Sequence, residues 1–151
     1  MKIAPVAESR VAEILLVEDN DDDVYLTREA FAAASLRVNL ERVDNGEKCL
    51  QYLRKQAPFT NAKTPDLILL DMHMPVMDGY EVLAEIIKDD KLRHLPVVVL
   101  TTSYEAADIQ KMYGMRCSSY ITKPVNFESF VTVIAQLAGY WLTVVVIPEP
   151  T

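Results

Sequence analysis

Three short stretches of uninterrupted aliphatic residues constrain this chain most: Ile14-Leu15-Leu16-Val17, Leu67-Ile68-Leu69-Leu70 and Val97-Val98-Val99-Leu100. Each is too short for a stable helix, and none alternates apolar with polar residues. A strand with no polar face has water on neither side. That is the pattern of parallel strands covered by helices above and below. Each run also stops abruptly on a residue with chemistry to offer: Glu18-Asp19 after the first, Asp71 after the second, Thr101 after the third.

The remaining segments fill in an alternating order. A weaker strand is expected at 38–43 and a fifth at 118–121, the latter running on to Lys123-Pro124. Between the strands lie helical spacings. Val24, Thr27, Phe31 and Ala34 mark one helix, and Leu50 and Leu53 another. Residues 80–88 carry Val82, Leu83, Ile86 and Ile87, and a shorter helix is expected at 105–113. Phe127, Phe130, Val131, Ile134, Leu137 and Trp141 form a stripe at three- and four-residue spacing. The run Asp21-Asp22-Asp23 reads as helix capping and solvation, Asp44-Asn45-Gly46 as a turn, and 56–65 as a longer loop. Five strands alternating with five helices give an α/β fold, a doubly wound five-stranded parallel sheet of flavodoxin-like type. Residues 1–10 are expected to be a lead-in, 11–140 the domain and 141–151 a C-terminal arm.

Composition narrows the function classes. With 15 Lys and Arg against 22 Asp and Glu, the 151-residue chain carries a formal charge of −7. That charge argues against a nucleic-acid surface and against adsorption to anionic lipid. No apolar run reaches the roughly 20 residues of a membrane span, and residues 1–10 lack the apolar core of a secretory signal. Cys49 and Cys117 have no metal-ligand spacing, so the expectation is a cytoplasmic protein with reduced thiols.

Open α/β sheets bind their ligands at the carboxyl ends of the strands. Glu18, Asp19, Asp71, Thr101 and Lys123 are therefore expected on one rim. Carboxylates gathered this way repel and call for a cation. Hard oxygen donors with room for water suit Mg²⁺. An ammonium and a hydroxyl beside them suit phosphoryl oxygens. The set matches phosphoryl transfer, which needs positioning and charge neutralisation, with Asp71 able to take the group as an acyl phosphate.

These residues resemble the response-regulator receiver family, the CheY-like receivers, across most of the chain. The resemblance rests on Leu-Val-Glu-Asp at 16–19, Leu-Leu-Asp-Met-His-Met-Pro-Val-Met-Asp-Gly at 69–79, Val-Val-Val-Leu-Thr-Thr at 97–102 and Tyr-Ile-Thr-Lys-Pro at 120–124. It implies that Asp71 is the phosphoacceptor. Mg²⁺ would be held by Asp19, Asp71 and the backbone carbonyl of His73, with Glu18 acting largely through a metal-bound water. Thr101 would be the switch hydroxyl, Tyr120 the switch aromatic and Lys123 the lysine that pairs with a phosphoryl oxygen. The backbone amide of Thr102 would bond another such oxygen. The chain departs from the family's commonest pattern at His73, where Asn or another small polar residue is frequent, and at Thr102, where Ala or Gly is frequent. Those departures bear on rates.

A finer resemblance, carried by 56–65, Leu100-Thr101-Thr102-Ser103 and the ending from Gly139, is to the single-domain regulators paired with phytochromes. It implies a sensor histidine kinase, of bacteriophytochrome type, as donor. It also implies a homodimer through the fourth helix, fifth strand, fifth helix and the C-terminal arm, which would pair the β-prone Val144-Val145-Val146-Ile147. The chain then acts as a switch of partner binding or dimerisation and not as a turnover enzyme. The alternative is a phosphate-relay receiver with no direct output. A small-molecule phosphatase would need a second acid two residues after the nucleophile, where His73 stands.

Overall fold

A computed structural model describes residues 11–102, 105–124 and 126–141. The lead-in at 1–10 and the arm beyond 141 lie outside the described residues. Five strands, β1 (Ala12–Val17), β2 (Val38–Val43), β3 (Leu67–Leu70), β4 (Val97–Thr101) and β5 (Ser119–Thr122), alternate with α1 (Asp21–Ala33), α2 (Gly46–Leu53), α3 (Gly79–Lys88), α4 (Ala106–Gly114) and α5 (Phe127–Gly139). The sheet is parallel, in the order β2-β1-β3-β4-β5. The chain reverses its winding direction between β1 and β3, and that reversal opens a crevice at their carboxyl ends.

The aliphatic runs form strands because every one of their side chains finds a dry face. Odd and even residues divide cleanly between two cores. Leu15, Val17, Ile68, Leu70, Val97 and Val99 meet Cys49, Leu50, Leu53, Val82, Leu83, Ile86 and Met112 of α2, α3 and α4. Ile14, Leu16, Leu67, Leu69, Val98 and Leu100 meet Val24, Phe31, Phe130, Ile134 and Leu137 of α1 and α5. Each such side chain, once buried, contributes about 1.5–3 kcal/mol. Cys49 and Cys117 both lie in the first core as free thiols. Burial pushes the Cys49 thiol up to about 12. Among the described residues no helix is long and apolar enough to cross a membrane.

Two local readings need correcting and one is extended. The cap of α1 is Asn20, whose side chain accepts from the Asp23 amide, while Asp21, Asp22 and Asp23 fill the first turn. The acids there complement the positive end of the helix dipole instead of capping it. Asn45 does more than turn the chain: its side chain accepts from Lys48 and starts α2. Phe127, placed at the head of the apolar stripe, is 40% exposed, because α5 begins at the rim of the sheet and only its later turns reach the core.

Candidate functional site

The site is built where β1 and β3 run out together. Val17 and Leu70 are partners in the ladder, so the residues that follow them, Glu18 and Asp71, come out side by side. Backbone bonds carry the alignment one step past the strands. Glu18 N–H donates to Val43 O at 3.0 Å and Asp71 N–H to Val17 O at 3.0 Å. On the far side of β4, Lys123 N–H donates to Thr101 O at 2.7 Å, which brings the end of β5 to the same rim.

The loop after Asp71 is held against it by Gly79. The Gly79 amide donates to Met72 O at 2.9 Å. A Cβ at this position would stand 2.7 Å from Asp71 O and 2.8 Å from Met72 Cα. Only glycine lets the start of α3 come this close to the Asp71 backbone. Asp78 and Glu81 then close a reciprocal capping box, with Asp78 Oδ1 accepting from the Glu81 amide at 3.0 Å and Glu81 Oε1 from the Asp78 amide at 3.3 Å. Within this loop Val76 has φ 69°, a left-handed conformation that costs a β-branched residue about 1–2 kcal/mol. The strain is borne by a loop fastened at both ends.

Glu18, Asp19 and Asp71 each offer a carboxylate oxygen, and the three oxygens lie within 4.8 Å of one another. Glu18 is 2% exposed and Asp71 9%. The Lys123 ammonium sits on Glu18 Oε1 at 2.6 Å and on Asp23 Oδ2 at 3.4 Å. Burial pushes the Glu18 carboxyl up to about 7, against the pull of Lys123 and with Asp71 adding to the rise. Burial likewise raises the Asp71 carboxyl, again opposed by Lys123. For Lys123, burial favours the neutral amine, but Glu18, Asp71 and Asp23 outweigh it and hold the ammonium above its ordinary range. One ammonium among three clustered carboxylates leaves surplus negative charge in a poorly solvated place. Oxygen-only, anionic donors with an open side fit a small hard divalent cation such as Mg²⁺ or Mn²⁺.

The other expected residues fall around this cluster. Thr101 is fully buried at the end of β4, and Thr102 beside it is exposed and lines a cavity with Lys123. His73 lies two residues beyond Asp71 with its side chain exposed. Tyr120 is half-buried with its ring turned inward, the phenol donating to Met72 Sδ at 3.3 Å, next to the Asp71 backbone. The structure therefore brings Glu18, Asp19, Asp71 and Lys123 together, with Thr101 and Tyr120 flanking them.

Sequence reasoning missed Arg42. Its Nε donates to Glu18 O at 2.8 Å, and its second guanidinium nitrogen reaches Asp19 O at 3.2 Å and Asp21 Oδ1 at 2.9 Å. One side chain from β2 thus fastens the backbone of both consecutive acids. No local pattern marks it, because the contact depends on the pairing of β2 with β1. Asp23, a solvated helix residue by its place in the acidic run, holds Lys123 across 100 positions of sequence.

Comparison with known proteins agrees with this geometry. Residues 14–135 match the response regulator receiver domain family. Response regulator Rcp1 of Synechocystis is 36% identical over 89% of this chain and 92% of its own length. The crystal structure of the phosphorylated cyanobacterial phytochrome response regulator RcpA superposes with a TM-score of 0.87 at 39% identity, covering 92% of this chain and 99% of that one. The Mn²⁺-bound form of Rcp1 superposes with a TM-score of 0.84 at 35% identity, over 91% of this chain and 99% of that one. Matched from the first buried strand to the last helix, the chain belongs to the response regulator receiver family.

Proposed function

We propose that this receiver accepts a phosphoryl group on Asp71 from the phosphohistidine of a sensor histidine kinase, with Asp19, Asp71 and the backbone carbonyl of His73 as the residues that would hold Mg²⁺ and Glu18 acting largely through a metal-bound water. The observation that carries the reading is the meeting of three carboxylate oxygens within 4.8 Å, with the Lys123 ammonium against one of them. An Asp71 carboxylate oxygen attacks phosphorus, a P–O bond forms as the P–N bond breaks, and the departing imidazole takes a proton from water. When bound, Mg²⁺ supplies the charge neutralisation that lets an anion approach an anion. Lys123 leaves its carboxylate partners to pair with one phosphoryl oxygen. The Thr101 hydroxyl and the Thr102 amide donate to others.

The new group adds roughly −1.5 to −2 charges to the rim. Thr101 and Tyr120 convey that change to α4 and β5 by shifting a pre-existing equilibrium. Rcp1 and the phytochrome regulator RcpA, so similar over nearly their whole lengths, support a phytochrome-type kinase as donor. Output is the switching of partner binding or of a homodimer formed through α4, β5, α5 and the C-terminal arm. The exposed Tyr113 on α4 and Tyr140 after α5 support that face as a contact surface.

Incubation with acetyl phosphate and Mg²⁺ should add one phosphoryl mass. The addition should vanish with EDTA and in Asp71→Asn. Labelling that persists in Asp71→Asn would overturn the assignment.

A further inference from the structure

Lys123 stands where a phosphoryl-binding lysine is needed, but it does not rest on Asp71. Its ion-pair partners among the described residues are Glu18 at 2.6 Å and Asp23 at 3.4 Å, and its own side chain is 10% exposed. The two partners differ in kind. Glu18 belongs to the carboxylate cluster and answers to a divalent cation. Asp23 lies outside that cluster, on the third residue of α1, with its side chain 38% exposed.

The backbone of Asp23 is fixed at both its polar groups. Its amide is held by Asn20 Oδ1 at 3.0 Å, and its carbonyl accepts from the Thr27 hydroxyl at 2.7 Å. Beside it lies a cavity of about 170 Å³, lined in part by Asp23, Thr102, Lys123 and Asn126, so the ammonium is not packed in on that side. A divalent cation drawing on Glu18 weakens the nearer of the two holds on Lys123. Asp23 then becomes the group from which the lysine has to depart.

We infer that Asp23 is a positioning residue that keeps the Lys123 ammonium parked away from Asp71, so that its carboxylate competes with the phosphoryl group for this lysine. The inference rests on the phosphoacceptor reading of Asp71. It gives the acidic run of α1 a role in the switch: the charge on Asp23 sets how readily the phosphorylated arrangement is reached.

Beryllofluoride with Mg²⁺, a stable mimic of the aspartyl phosphate, provides the test. Removing the parking charge in Asp23→Asn should tighten beryllofluoride binding by about three- to fivefold, the scale of a partly exposed ion pair. Asp23→Glu, which restores the charge, should return the affinity toward wild type. Asp22→Asn removes an equal charge from the same exposed turn and should change the affinity by less than about 1.5-fold. The ¹⁵N signal of the Lys123 ammonium, read without beryllofluoride, should move in Asp23→Asn and stay in place in Asp22→Asn. Equal behaviour of Asp23→Asn and Asp22→Asn in both readouts would overturn the parking role while leaving Asp71 as acceptor. Beryllofluoride binding that survives Asp71→Asn unchanged would instead overturn the phosphoacceptor reading, and this inference with it.

Discussion

The centre of the sheet and its β5 edge are fastened very differently. In β3 all four residues are fully buried, and the strand feeds directly into Asp71, whose loop is locked by Gly79 and by the Asp78–Glu81 capping box. In β5 all four residues are only partly buried. The neighbouring α4 has no side-chain cap and buries Met112 alone. Beyond Met112, the side-chain ties on α4 are polar. The Tyr80 phenol donates to Asp108, the Lys111 ammonium lies 4.0 Å over the Tyr80 ring, and the Tyr113 phenol accepts from the Tyr120 amide at 3.0 Å. The groups that must hold an ion therefore sit on the rigid half. The segment proposed to move sits where few apolar contacts resist a change of position, as switching elements must.

The largest expected consequence is a difference in the cost of truncation. Leu69→Ala in β3 should cost about 3 kcal/mol, the scale of a fully buried leucine that leaves a cavity. Ile121→Ala in β5, where the side chain is only partly buried, should cost about 1 kcal/mol. Urea unfolding of the two variants measures this directly. Equal losses would break the contrast between the two strands.

A smaller effect should come from the tie on α4. Tyr80→Phe removes one phenol hydrogen bond and should cost about 1 kcal/mol. Amide exchange should quicken in α4 and stay unchanged in β3. The pH dependence has a definite sign. Burial raises the Tyr80 phenol well above its ordinary value, and Asp108 adds to the rise. The folded state therefore keeps a proton that the unfolded chain releases above about pH 10. Stability contributed by the neutral phenol is full below that pH and is lost as pH rises toward the folded value. The advantage of wild type over Tyr80→Phe should shrink accordingly in alkaline unfolding experiments. An advantage that stays constant above pH 10 would mean that the phenol is not tied as described.

The same contrast explains what the sequence disclosed. Strands buried on both faces have one pattern available to them, so Leu67–Leu70 is legible to the residue. The site was legible because its acids and its lysine each follow a strand, at Val17, Leu70 and Thr122, and parallel strands end on one rim. Less regular features left weaker marks. Asn20 caps α1 in place of its acidic neighbours, since a cap depends on backbone angles and not on charge. Phe127 fits the helical stripe but sits where the helix overhangs the sheet. Arg42 and Asp23 act across ladders and helix faces far apart in sequence, and no spacing rule connects Arg42 to Glu18 or Asp23 to Lys123.

Calorimetric titration of Mg²⁺ into the unphosphorylated protein tests the centre of this account most directly. The gathering of Glu18, Asp19 and Asp71 predicts one saturable site, weakened by more than about tenfold in both Asp19→Asn and Asp71→Asn. A site that binds equally well in wild type and in both variants would contradict it.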